Sequence, residues 1–212
     1  MKVLGLVGSG RKDGNTNHLI ETILEGARSS GHTTKKIHLS EMTILPIGDC
    51  TVCWKIGYCQ IEDDFNPLMQ EVLFHDCVIF GTPVYWLGPS AQMKTFLDRW
   101  VCKINLEGDS FRNKMRGKKC LIATPHQDEK LTGAEYLFSI MERTFEYMEM
   151  AYLGKIQTVA WRRSEVSRDK TAQKYAFELG GRLSELQYIR RATGAVTFNF
   201  SNQTDAPKQS GA

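Results

Sequence analysis

No apolar run in the sequence is long enough to cross a bilayer, which excludes an integral helical membrane protein. Charge of one sign barely exceeds the other. The 27 Lys and Arg against 24 Asp and Glu leave a formal +3, too little for general nucleic-acid affinity, so no nucleic-acid partner is expected. No internal repeat and no linker divides the 212 residues, a length suited to one well-buried domain. Met1-Lys2 runs straight into a strand pattern, so no secretory leader is expected and a cytoplasmic location is. Cysteine is sparse, with six in all, but Cys50, Cys53 and Cys59 lie close together. In a cytosolic chain such clustering points to metal or redox chemistry rather than a disulfide scaffold.

Two familiar phosphate motifs are also missing. The first glycines, Gly8, Gly10 and Gly14, read G-x-G-x-x-x-G rather than the dinucleotide G-x-G-x-x-G, and the acidic residue expected about 20 positions later is absent. No G-K-[ST] occurs at this loop, so it is not a Walker loop. What is present is Gly8-Ser9-Gly10-Arg11-Lys12-Asp13-Gly14-Asn15-Thr16-Asn17, between the apolar run Val3–Val7 and a helical pattern. Free backbone N–H groups and the positive end of a helix dipole favour an anion there. Ser9, Asn15, Thr16 and Asn17 add neutral donors and Arg11 a charged one, a set suited to a terminal phosphate monoester.

Along the chain, strand and helix patterns alternate five times. Strands are predicted at Val3–Val7, Lys35–Leu39, Cys77–Gly81, Lys119–Thr124 and Lys155–Trp161. Helices follow the phosphate loop (Leu19, Ile20, Ile23, Leu24, Ala27), the loop ending at Pro89 (Met93, Phe96, Leu97, Trp100, Val101), and a Thr132/Glu135 capping box. A last helix carries Ala172 to Leu186, with Gly180-Gly181 as its weak point. Glu41–Asn66 reads as a long irregular segment and Asn105–Gly117 as a polar excursion. Val196–Phe200 alternates like a strand that packs on a partner or caps its own sheet, and Ser201–Ala212 reads as disordered. The boundaries expected are a domain over 1–191 and an extension over 192–212.

Alternation of this kind predicts an α/β fold: an open parallel sheet with helices on both faces. With strand order 2-1-3-4-5, the ligand crevice lies where strands one and three send their helices to opposite sides. The phosphate loop then sits beside Thr82-Pro83-Val84-Tyr85-Trp86-Leu87, whose stiff backbone and planar side chains suit a flat ring.

Ser9–Asn17 and Thr82–Trp86, followed by Lys94-Thr95-Phe96-Leu97-Asp98-Arg99, resemble the NADPH-dependent FMN reductase and iron-sulfur flavoprotein branch of the flavodoxin-like fold. Strong motifs carry the resemblance over the first half of the chain and element order carries it beyond. It implies bound FMN, its phosphate held by Ser9, Arg11, Asn15, Thr16 and Asn17. Pro83, Val84, Tyr85, Trp86 and Leu87 become the wall beside the isoalloxazine. The family's third loop also approaches the flavin, which involves Thr124, although Pro125-His126-Gln127 departs from the small residues usual there. Lys94, Asp98 and Arg99 are explained equally well by a helix-surface ion pair.

The implied activity is transfer of a hydride from NAD(P)H through FMN to a quinone, flavin, nitro- or azo-aromatic or electron carrier, with ping-pong kinetics. A non-enzymatic FMN carrier or redox sensor is the alternative. Family members complete the flavin pocket across a dimer interface, so a homodimer or homotetramer is expected, through Cys50–Cys59 or Val196–Phe200.

Cys50-x-x-Cys53-x5-Cys59 with Glu62-Asp63-Asp64 resembles the compact motif of iron-sulfur flavoproteins, which supplies four thiolates. Ile47 stands where the first belongs, and no histidine lies near to complete a zinc site. No metal is therefore expected, and these three are read as reduced, partly exposed thiols. Cys77, Cys102 and Cys120 are expected in the core. Of the five histidines only His126 falls in a site loop, where a non-catalytic role is expected.

Overall fold

A computed structural model describes residues 1–128 and 132–187, with the backbone of strand 197–200. In chain order the elements are β1 (Lys2–Val7), α1 (Asn15–Ser29), β2 (Thr33–His38), α2 (Cys50–Ile56), α3 (Phe65–Phe74) and β3 (Cys77–Gly81). A short hairpin, β4 (Val84–Tyr85) and β5 (Gly88–Pro89), precedes α4 (Ala91–Asp98), α5 (Trp100–Glu107) and α6 (Asp109–Met115). Then come β6 (Lys119–His126), α7 (Glu135–Tyr147), β7 (Ala151–Val159), α8 (Lys170–Gly181) and β8 (Thr197–Phe200).

The main sheet runs β2-β1-β3-β6-β7-β8, and every neighbouring pair is parallel. Its first five strands have the predicted flavodoxin-like order. The segment expected to be a late strand caps the sheet edge, with Thr197 to Phe200 beside Lys155 to Thr158. Val196, the boundary at 191/192 and Ser201–Ala212 lie outside the described residues.

Central strands in such a sheet are covered on both faces, which is why they read as continuous apolar runs. Side-chain alternation sorts them into two layers. Leu4, Leu6, Val78, Phe80 and Ile122 pack with Phe65, Phe96, Trp100, Phe138 and Phe145 from α3, α4, α5 and α7. Val3, Val7, Ile79 and Leu121 pack on Leu19, Ile20, Ile23 and Leu24 of α1 and on Ala176 and Leu179 of α8. The helices α1 and α8 meet backbone to backbone. A Cβ at Gly26 would lie 1.9 Å from the Phe177 carbonyl oxygen, and one at Gly180 the same distance from that of Ile23. Gly180-Gly181 is thus both the close-approach point and the end of α8.

Several expectations are corrected. The segment 41–66 holds α2, and α3 follows it with Leu68, Met69 and Val72 buried. Most of the supposed excursion 105–117 is helical because Phe111 and Met115 anchor α6 in the core. The capping box does not form. Thr132 donates its hydroxyl to Asp128, and Ala134 stands at the N-cap of α7 without a side-chain cap. Pro89 lies in β5 rather than in the first turn of α4, which Ser90 caps by accepting from Met93 N–H at 3.3 Å. The fifth strand begins at Ala151, earlier than its sequence pattern indicates.

Candidate functional site

Hydrogen bonds lock the carboxyl ends of the central strands to one another. Gly8 N–H donates to Gly81 O at 2.7 Å, Thr82 N–H to Ala123 O at 3.0 Å, and Ala160 N–H to His126 O at 2.8 Å. Ser90 Oγ–H adds a bond to Gly8 O. The loops leaving β1, β3, β6 and β7 therefore open on one cavity of about 330 Å³, within the size range of small-molecule sites. Its lining includes Ser9, Arg11, Asn15, Thr16, Pro83, Val84 and Tyr85, with Pro125 and His126 from the end of β6 and Gln127 just after it.

The phosphate loop ends in a helix start left open for an anion. Gly14 occupies the N-cap of α1 and offers no side-chain cap. Among the described residues, no acceptor takes the backbone N–H groups of Asn15, Thr16 or Asn17. Ser9, only 5% exposed, accepts from Arg11 N–H at 3.2 Å and holds the turn. Thr16 is buried at the cavity wall.

Asn15 has a different task from the one expected of its amide. Its Nδ2 donates to Arg162 O at 2.8 Å and its Oδ1 accepts from Val166 N–H at 3.1 Å. Arg163 pairs with Asp13, and Ser164 Oγ–H donates to Asp13 O at 2.5 Å. These bonds clasp the loop after β7 onto the phosphate loop and bring Ala160, Trp161, Arg162 and Arg163 to the cavity. Sequence reading missed this fourth wall, and no local motif announces it. Arg11, Arg162 and Arg163 border the cavity and, among the described residues, no Asp or Glu does. Arg163 is neutralised by Asp13, whose carboxyl its hydrogen bond holds below the usual range. Arg11 and Arg162 have no ion-pair partner among the described residues, so the site has an excess of positive charge.

Of the expected ring wall, Pro83, Val84 and Tyr85 line the cavity. Trp86 and Leu87 do not. They form the tip of the β4–β5 hairpin, Trp86 fully exposed and Leu87 half-exposed, with φ of 48° and 65°. Thr124 is also absent from the lining. It is fully buried and donates its hydroxyl to Thr82 O at 2.6 Å, bracing the loop behind the site. Asn17 stands on the first turn of α1 outside the lining, its buried Oδ1 without a hydrogen-bond partner among the described residues.

The expected surface pairing holds for Lys94 and Asp98, at 2.5 Å, but not for Arg99. Arg99 is fully buried and pairs with Asp63 at 2.5 Å, so it belongs to the core rather than to the helix surface. The thiols lie around it. Cys50 Sγ is 3.4 Å from Cys102 Sγ, Cys59 Sγ is 3.8 Å from Arg99 Nη2, and Cys53 is buried on α2. Cys50 and Cys59 are partly exposed and all six cysteines are free, with Cys77, Cys102 and Cys120 in the core. No three His, Cys, Asp or Glu side chains among the described residues gather to hold a metal ion.

The sequence is 39% identical to an iron-sulfur flavoprotein of Archaeoglobus fulgidus over 101 residues, 48% of this chain and 46% of that one. The match therefore spans about half the length of that relative. It is 29% identical to a putative NAD(P)H-dependent FMN-containing oxidoreductase of Bacillus subtilis, over 84% of this chain and 96% of the other. In fold it is similar to the Trp repressor binding protein of Bacillus subtilis, at TM-score 0.65 and 24% identity, covering 86% of this chain and 98% of that one. It is also similar to an NAD(P)H:quinone oxidoreductase from Methanothermobacter marburgensis, at TM-score 0.69 and 16% identity over 87% and 97% of the two chains. The family model of the NADPH-dependent FMN reductases matches residues 1–160, which takes in the loops after β1, β3 and β6, and the chain belongs to that family.

Proposed function

We propose that the protein is an FMN-dependent NAD(P)H oxidoreductase whose FMN lies in the four-loop cavity, phosphate at the α1 N-terminus and ring between the β3 and β6 loops. The observation that carries this reading is the uncapped start of α1 beside Ser9, Arg11 and Thr16, in a cavity also lined by Pro83, Val84 and Tyr85. Those residues fit a phosphate monoester joined to a flat heteroaromatic ring. FMN, when bound, supplies the chemistry of accepting a hydride from NAD(P)H and passing electrons to an acceptor.

The chain's own part is binding and orientation. The Asn15, Thr16 and Asn17 N–H groups and the Thr16 hydroxyl meet the phosphate, while Arg11 and Arg162 offset its charge. Pro83 and the hydrogen bond from Thr124 to Thr82 O hold the β3 loop rigid, so Tyr85 presents its ring at a fixed height. Gln127 Nε2 donates to Trp161 O at 3.1 Å and closes the side of the cavity between the β6 and β7 loops. Nicotinamide and acceptor would use the same cavity in turn, which gives ping-pong kinetics. The acceptor is a quinone, a flavin or another small aromatic or electron carrier. A homodimer through the α2 segment is part of the reading, because Val52, Trp54 and Tyr58 expose apolar surface there and sedimentation measures it.

Steady-state NADPH oxidation by the FMN-loaded protein with benzoquinone, free flavin and an azo dye tests the enzymatic reading. Turnover with at least one acceptor, and parallel double-reciprocal plots, are expected. Bound FMN without turnover would leave a carrier instead.

A further inference from the structure

α2 packs on α5, and two thiols face one another at that contact. Cys50 opens α2 and is partly exposed, whereas Cys102 of α5 is buried. Their sulfurs stand 3.4 Å apart although the residues are 52 positions apart in sequence. A disulfide needs about 2.05 Å, so bonding asks for an approach of about 1.4 Å. That movement falls to Cys50, because α2 has seven residues and buries only Cys53. Among the described residues no other two sulfurs make a hydrogen-bonding contact. Burial, then the hydrogen bond with Cys50, pushes the Cys102 thiol up to about 12 against the opposing Arg99 guanidinium beside it. Cys102 therefore keeps its proton at pH 7. No residue of α2 or α5 lines the four-loop cavity, so the pair lies outside the site already described.

We infer that Cys50 and Cys102 are a dithiol site oxidised by hydrogen peroxide to a disulfide that joins α2 to α5. The pair and its test do not depend on where FMN binds. Cys50, the thiol that solvent reaches, reacts first. Its sulfur attacks one peroxide oxygen, an S–O bond forms, the O–O bond breaks, and the departing hydroxide takes up the Cys50 proton as water. The Cys102 sulfur then attacks the sulfenic sulfur of Cys50. An S–S bond forms, the S–O bond breaks, and the second hydroxide leaves with the Cys102 proton as water. The two thiols lose two electrons, the peroxide gains them, and the products are one disulfide and two waters.

The test treats the reduced full chain, freed of reductant, with hydrogen peroxide, then alkylates the remaining thiols and maps the peptides. Two of the six thiols are expected to be lost, joined as one Cys50–Cys102 peptide pair, and recovered with dithiothreitol. Cys50 should disappear at least about tenfold faster than Cys77 or Cys120, which are fully buried and whose thiols burial pushes up. Cys102→Ser should leave Cys50 as a sulfenic acid that dimedone traps. Cys50→Ser should leave Cys102 reduced, and it keeps the test intact if the buried substitution does not fold. Because the cross-link joins groups already in contact and constrains the unfolded chain, the oxidised protein should melt about 5 °C or more above the reduced one. Cys50 joined to Cys53 or Cys59, or still a thiol under conditions that fully oxidise glutathione, overturns the pairing. A melting temperature unchanged or lowered on oxidation also overturns it, since the bond would then form by distorting the fold.

Discussion

Breaking the buried pair Arg99–Asp63 is the sharpest test of how the segment before α3 is held. Both side chains are fully buried. Arg99 Nη1 donates to Asp63 Oδ2 at 2.5 Å and to Leu45 O at 2.9 Å, and Nη2 reaches Asp63 Oδ1 at 3.5 Å. Asp63 in turn accepts from Leu45 N–H at 2.9 Å and Phe65 N–H at 3.0 Å, and the guanidinium lies 4.6 Å from the Phe65 ring centre. One ion pair thus ties 45 to 65 and carries α4 and α5 with it. Asp63→Asn keeps the shape but leaves the guanidinium charge unopposed, and losing one partner of a buried pair costs about 3–5 kcal/mol. With urea m-values of about 1–3 kcal/mol/M, the midpoint should fall by about 1 M or more. Burial alone would push the Asp63 carboxyl up, but Arg99 and the two N–H groups outweigh it and hold it below the usual range. That depressed folded value contributes stability present above the unfolded carboxylate pKa of about 3.9 and lost as pH falls through the folded pKa. The difference between Asp63→Asn and the unmodified protein should therefore shrink in acid. Asp63→Leu with Arg99→Met should recover most of the loss. A loss below about 1 kcal/mol in Asp63→Asn, or a double variant as unstable as the sum of its singles, would refute the reasoning.

Two further substitutions probe backbone geometry. Gly180→Ala places a Cβ 1.9 Å from Ile23 O and must part α1 from α8. It should lower stability by about 2 kcal/mol or more despite the gain in helix propensity. Gly181→Ala meets nothing nearer than Ser30 Oγ at 3.1 Å and should cost less than about 1 kcal/mol, so equal losses by calorimetry would contradict the close-packing account. Trp86-Leu87→Asn-Gly puts residues suited to positive φ at a two-residue hairpin turn and should raise stability by about 1–2 kcal/mol. A Tm unchanged or lowered would show that the tip is held by contacts rather than strained.

Much of the fold was legible because parallel-sheet burial leaves a plain signature. Val3–Val7 and Cys77–Gly81 are apolar on both faces and fully buried. The first turn of the site was legible for a related reason: only glycine and small polar residues suit an N-terminus left open, as Gly14 shows. The misses have physical causes. The α6 helix shows only two core residues, Phe111 and Met115, amid charged neighbours. Arg99 looked like a surface charge because its partner, Asp63, lies 36 residues away. The fourth wall was invisible for the same reason, since the Asn15 contacts with Arg162 and Val166 span 147 and 151 residues. Trp86 was read into the ring wall by adjacency to Tyr85, but the left-handed turn swings it clear of the cavity.

The central claim is that the α1 N-terminus holds the phosphate of FMN, and riboflavin, the same ring without that phosphate, tests it most directly. Titration of the flavin-free protein with each ligand, followed by quenching of flavin fluorescence, compares their Kd values. Two charge-assisted hydrogen bonds to the phosphate contribute about 3 kcal/mol or more, so FMN should bind at least about a hundredfold tighter than riboflavin. Equal affinities for the two, or no binding of FMN, would contradict it.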